Sequence, residues 1–189
     1  MVSTSRYNGL SIFIHWAVAL LFLTQFVIAE TGMELNVKAG ELMLGFGKYD
    51  WYGVHKSIGV SIFVLVALRM IWRFTSRQPK PIPMPKWDLY LSRFNFILLY
   101  IIMVGFPLSG YIMSVAGGHG VKWFWLFDVP NLIAKNQALA GQAHFMHEEI
   151  FPIAVYVVVG LHVTGALYHF VVRKDNVLWQ MLPLSFLKK

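Results

Sequence analysis

No cysteine occurs anywhere in this sequence of 189 residues. Disulfides, iron–sulfur clusters, thiolate metal sites and the covalent C-x-x-C-H attachment of haem are therefore excluded. Charge is scarce as well: Asp, Glu, Lys and Arg together make up 13% of the chain, where a soluble domain carries about 25%. Acids are the scarcer sign, nine against sixteen Lys and Arg, and the formal net charge is +7. Such a surplus raises nucleic acid as a partner. The basic residues, however, are confined to segments beside apolar runs, and membrane orientation explains that pattern better. Internal repeats and low-complexity tracts are also lacking.

What is abundant is apolar sequence, at 57% of residues. It is gathered into four runs, at about 10–29, 54–72, 94–115 and 148–172. Each has roughly the 20 residues that a helix needs to cross a hydrocarbon core about 30 Å thick. The expected fold is an all-α membrane protein, a bundle of four transmembrane helices forming one domain over residues 1–189. The first run follows a basic residue, as in a signal peptide, but it has the length of a true span and no A-x-A-like site follows it. It is read as a retained helix. The join Gln78–Trp87 holds four prolines, which bar a helix and favour an extended linker. The seven tryptophans mostly fall near span ends, as in an interfacial aromatic belt.

Eleven of the sixteen basic residues fall on one side of the four spans: Arg6, the group from Arg69 to Arg93, and Arg173, Lys174, Lys188 and Lys189. Lys38, Lys48, Lys56, Lys122 and Lys135 fall on the other side, with seven of the nine acids. The positive-inside rule puts both termini and the proline-rich join in the cytoplasm.

Histidines give this frame its chemistry. His15 is early in the first span and His162 lies past the middle of the fourth, both toward the cytoplasm. His55 and His147 open the second and fourth spans on the outer side. The fifteen residues between His147 and His162 correspond to about 22 Å of helix and about 60° of rotation beyond four turns, so both can face one side. Depth therefore sorts four histidines into two pairs, His55 with His147 and His15 with His162. Two imidazoles on one haem iron leave no open position for dioxygen and suit electron shuttling. A proton relay or an interhelical hydrogen bond would use the same residues. Gly59 and Gly165 would leave room for a porphyrin, or for close helix approach. His144 competes with His147 for its place, and His119 reads as a surface residue in a glycine-rich loop.

The segments LSIFIHW, WYGVHKSIGVSIFVLVALRMIWRF and GLHVTGALYHFVVRKDNVLWQMLP, with the spacing between them, resemble the bacterial cytochrome b561 family from about Tyr7 to Pro183. The resemblance implies an inner-membrane protein with two b haems, the iron of one ligated by His15 and His162 and that of the other by His55 and His147. It further implies a quinone site near His169, with Arg6, Ser11 and Lys174 as weaker candidates. Where the family often has a histidine pair, this chain has His169 followed by Phe170. Members of the family oxidise superoxide at the periplasmic side and pass electrons to ubiquinone. The expected activity is accordingly one-electron transfer across the membrane, of the superoxide:quinone oxidoreductase type. Its partners would be lipid, quinone, and superoxide or another periplasmic donor. A second copy of the chain is left open as a partner and nucleic acid is not expected. Two other readings stand beside it: a haem b subunit serving a partner dehydrogenase or hydrogenase, and a haem-free transporter or proton conductor.

Overall fold

In the computed structural model, residues 6–30, 42–80 and 82–183 are described; Lys38, Lys188 and Lys189 of the orientation argument lie outside them. Four helices are long and apolar enough to cross a membrane. They are α1 (Gly9–Val27), α2 (Lys48–Thr75), α3 (Lys86–Ala116) and a continuous fourth run, Gln137–Arg173. That run consists of α4 (Gln137–Phe145), a π turn at Met146–Ile150, α5 (Phe151–Tyr168) and a second π turn at His169–Arg173.

The helices overrun the apolar stretches that announced them. α2 begins at Lys48 rather than 54, α3 at Lys86 rather than 94, and the fourth run at Gln137 rather than 148. Apolar sequence marks where lipid is, whereas a helix continues into water until its end groups find other partners. Those partners are local. Asn8 caps α1 by accepting the Ser11 N–H at 2.8 Å, and Asn136 caps α4 by accepting that of Leu139 at 3.1 Å. At the start of α2 the Gly47 N–H donates to Asp50 Oδ2 at 2.9 Å. The prolines before Lys86 end where α3 begins, since Pro85 occupies its N-cap.

Earlier helix starts shorten the last join, and what remains of it holds a small hairpin, β1 (Val121–Trp123) against β2 (Phe127–Val129). Periodicity did not announce it, because three-residue strands are too short to alternate. Phe124 and Trp125 turn it with positive φ values of 43° and 62°. The hairpin is pinned to α2: Ser57 Oγ accepts the Phe124 N–H at 2.7 Å, and Trp123 Nε1 donates to Ser61 Oγ at 3.0 Å. Trp125 lies on Gly53, where a Cβ would stand 3.1 Å from its ring. Trp123 and Trp125 thus clamp the hairpin to α2, a role beyond that of belt residues.

The core runs along the bundle in two clusters. Ile14 and Val18 of α1 meet Ile58, Ile62 and Val66 of α2, and Ile102 of α3 meets Val155 and Val158 of α5. Many large apolar residues face outward, Leu20, Leu68, Ile97 and Val157 among them, as expected where the solvent is lipid rather than water. At one end the segment after the second π turn packs on the start of α1. Tyr7 N–H donates to the Gln180 carbonyl at 3.3 Å, Trp16 Nε1 to that of Met181 at 2.8 Å, and Arg6 to that of Leu182.

Candidate functional site: two imidazole pairs

The bundle brings four of its histidines together two by two. His15 of α1 and His162 of α5 have ring centroids 6.1 Å apart, with planes at 66°. His55 of α2 and His147 of the first π turn stand 6.0 Å apart at 88°. All four are half-buried. His144 is exposed and turned to Glu148 at 3.1 Å, so His147 alone of the two faces His55. His119 is exposed.

The first π turn sets the relation between the pairs. It takes up one residue without advancing the helix, which leaves His147 and His162 about 21 Å apart along the axis and about 40° apart around it. Both rings therefore look to the same flank of α5 at different depths. One pair lies near the hairpin end of the bundle, the other toward the end where residues 180–182 pack on the start of α1.

Hydrogen bonds fix the chemistry of His147. The Ser109 hydroxyl donates to the Phe106 carbonyl at 2.7 Å. His147 Nδ1 stands 3.1 Å from that carbonyl and 3.0 Å from Ser109 Oγ. Both neighbours can accept, which favours the tautomer with its proton on Nδ1 and its lone pair on Nε2. His55 is held differently. Gln25 Nε2 donates to its backbone carbonyl at 2.9 Å, while His55 Nδ1 and Gln25 Oε1 are both buried without a partner among the described residues. A buried ring nitrogen left unpaired is costly, and is expected where a ligand completes the site.

Do these pairs fit one metal ion each? With a metal–nitrogen bond of about 2.0 Å and a ring centroid about 1.1 Å behind the nitrogen, axial imidazoles on one ion stand about 6.2 Å apart. The two separations, 6.0 and 6.1 Å, fit that value. Glycines near the pairs leave space beside the helices. A Cβ on Gly160 or Gly165 of α5 would meet nothing within 4 Å, and one on Gly59 of α2 only the Gln25 amide nitrogen at 3.5 Å. α1 reaches α5 by side chains, Phe26 against Tyr156 at 5.3 Å and His15 against His162. Among the described residues no three His, Asp or Glu side chains converge as a metal cage; donors come in twos.

The residues expected near a quinone lie toward the end where α1 begins, in separate settings. Ser11 is buried, its Oγ accepting from Trp72 Nε1 at 3.2 Å and its carbonyl from Arg69 Nη1 at 3.2 Å. It lines a cleft of about 10 Å³ with Tyr7, Trp72, Arg73 and Tyr100. Arg6 binds the Leu182 carbonyl, and its Nε is buried without a partner among the described residues. His169 is buried outside that lining, with Asp175 at 2.7 Å. Lys174 is exposed in a left-handed conformation at the helix end. Sequence reasoning singled out neither Asp175 nor Ser109, Gln25 and Ser57. Each acts through a hydrogen bond that leaves no periodic trace.

Comparison with known proteins covers almost the whole chain. The family model described as prokaryotic cytochrome b561 matches residues 6–184. Cytochrome b561 homolog 2 of Escherichia coli K12 is 32% identical, over 95% of this chain and 93% of its own length. A "probable superoxide oxidase CybB" of Yersinia pestis is 29% identical over 94% of this chain and 96% of its own. Cytochrome b561 homolog 1 of E. coli is 28% identical over 95% and 98%. With four membrane-length helices and this match, the chain belongs to the prokaryotic cytochrome b561 family, multi-pass inner-membrane proteins that carry b-type haem and transfer electrons.

Proposed function

We propose that this cytochrome moves electrons one at a time between the two faces of the inner membrane, from superoxide at the periplasmic face to ubiquinone. Two haems would serve it, one held by His55 and His147, the other by His15 and His162. The observation that carries this reading is the pair of imidazole couples, each at the separation of axial ligands and the two about 21 Å apart in depth. Bound b haem would supply reversible one-electron chemistry, and these four histidines are the residues that would hold it.

The chain's own residues supply position and insulation. Phe106 and Ser109 hold the Nδ1 proton of His147, which fixes the tautomer and leaves the Nε2 lone pair free to ligate. The β1–β2 hairpin, pinned through Ser57 and Ser61, covers α2 within two turns of His55. Superoxide as donor is supported by the name of the Yersinia relative. Charge gives that choice little help. Lys56 donates to Ser114 Oγ at 2.8 Å and to the Gly120 carbonyl at 3.3 Å, and Lys122 pairs with Asp128 at 3.6 Å. The acceptor site is assigned to the end where α1 begins, with His169 as the quinone-facing residue; Arg6 and Ser11 lie at the same end in a separate setting. The basic excess at that end supports its facing the cytoplasm.

The test is a reduced-minus-oxidised spectrum of the purified protein with pyridine haemochrome quantitation. About two b haems per chain are expected, reduced by a superoxide-generating system and reoxidised by ubiquinone. Full haem that superoxide leaves oxidised would keep electron transfer and overturn the donor. One haem or none would overturn the ligand assignment.

A further inference from the structure

We propose that His169 and Asp175 form a pair that donates protons to the quinone as it is reduced, an inference resting on the quinone site assigned above to His169. The geometry is that of a built device. The second π turn ends with Lys174 at φ 52°, and this left-handed step folds the chain back so that the Asp175 N–H donates to the His169 carbonyl at 3.2 Å. Asp175 Oδ2 thereby comes within 2.7 Å of His169 Nδ1, while Oδ1 accepts the Val177 N–H at 3.0 Å. Both carboxylate oxygens are engaged, and the side chains are only 11% and 18% exposed. His169 Nε2 makes no hydrogen bond among the described residues.

Donor and acceptor bookkeeping then decides what the pair carries. A quinone carbonyl only accepts hydrogen bonds, so Nε2 must bear a proton to meet it. Asp175 already engages Nδ1. The quinone-binding form of the pair therefore holds one more proton than a neutral imidazole beside a carboxylate, whether the shared proton rests on Nδ1 or on Oδ2. The charge of Asp175 stabilises that form. Arg173 and Lys174, which flank the pair in sequence, are exposed, and the Tyr168 ring lies edge-on at 5.7 Å.

Quinone becomes quinol by taking two electrons and two protons. The electrons arrive singly through the cytochrome from its one-electron donor. For each proton, the N–H bond at Nε2 breaks and an O–H bond forms on the quinone oxygen. His169 is left neutral with its Nδ1 proton held by Asp175, and water on that side of the membrane restores the lost one. Asp175 is the positioning residue and His169 the group that touches the substrate.

The test compares Asp175→Asn, Asp175→Glu and His169→Gln, each first shown to retain full haem. Ubiquinone reduction is measured with and without added imidazole as a soluble proton donor. Asp175→Asn is expected to lower kcat at least about tenfold with KM for ubiquinone nearly unchanged, and to recover with imidazole. Asp175→Glu is expected to keep most of the rate. His169→Gln should raise KM as well as lower kcat. An Asp175→Asn enzyme with full kcat, or with a loss imidazole does not repair, would overturn the proton role while leaving the quinone site in place. A His169→Gln enzyme with wild-type KM and kcat would overturn the quinone site itself.

Discussion

Gly110 is the residue on which the pair of His55 and His147 depends most directly. A Cβ placed there would stand 2.7 Å from Cε1 of His147 and 3.1 Å from its Nδ1. No real Cβ sits so close, so Gly110→Ala must push the ring away from Phe106 and out of line with His55. The expected result is loss of the haem held by His55 and His147, so that pyridine haemochrome falls from about two haems to about one. A Gly110→Ala protein with full haem would show that His147 is not a ligand. The four paired histidines were legible in the sequence, because a polar ring inside an apolar run is rare and its depth can be counted along the helix. Gly110 was not, nor were Ser109 and Gln25. What each does depends on which helix faces it, and one sequence carries no record of facing.

Helices show the same division between what composition reveals and what packing adds. Four runs, their order and their approximate centres could be read from hydropathy, since twenty apolar residues have few other uses. The ends could not, because they are set by caps outside lipid. Asp50 shows the scale of such a cap: its carboxylate takes the Gly47 N–H at the head of α2. Asp50→Ala is expected to destabilise the protein by about 1 kcal/mol, visible as a lower Tm with haem content intact. An unchanged Tm would mean that the end of α2 is held by the hairpin instead. The two π turns were equally hidden. Each adds one residue to a turn at a position holding a histidine, and a count of 3.6 residues per turn has no means of flagging it. The first changes the phase of His147 against His162 while leaving the depth between the pairs almost unaltered.

The molecule as a whole is a bundle with one imidazole couple toward the end where residues 180–182 pack on the start of α1 and the other near the hairpin. That arrangement makes the protein a voltmeter. A charge passing between the couples travels about 21 Å of a hydrocarbon core about 30 Å thick, roughly two thirds of the full drop. Since a whole crossing is worth about 2.3 kcal/mol per 100 mV, the division of an electron between haems held at the two couples, as proposed, would shift by about 1.6 kcal/mol for that voltage. In liposomes holding the half-reduced protein, a potassium diffusion potential is expected to exchange the absorbance of one haem for that of the other, and to reverse when the gradient is reversed. Absorbance indifferent to the gradient would place both haems at one depth. The resting potential of the cell thus opposes or assists the electron according to its direction. In the proposed direction an electron drawn from outside would move toward the negative side, and the difference in affinity between donor and quinone would have to drive it there.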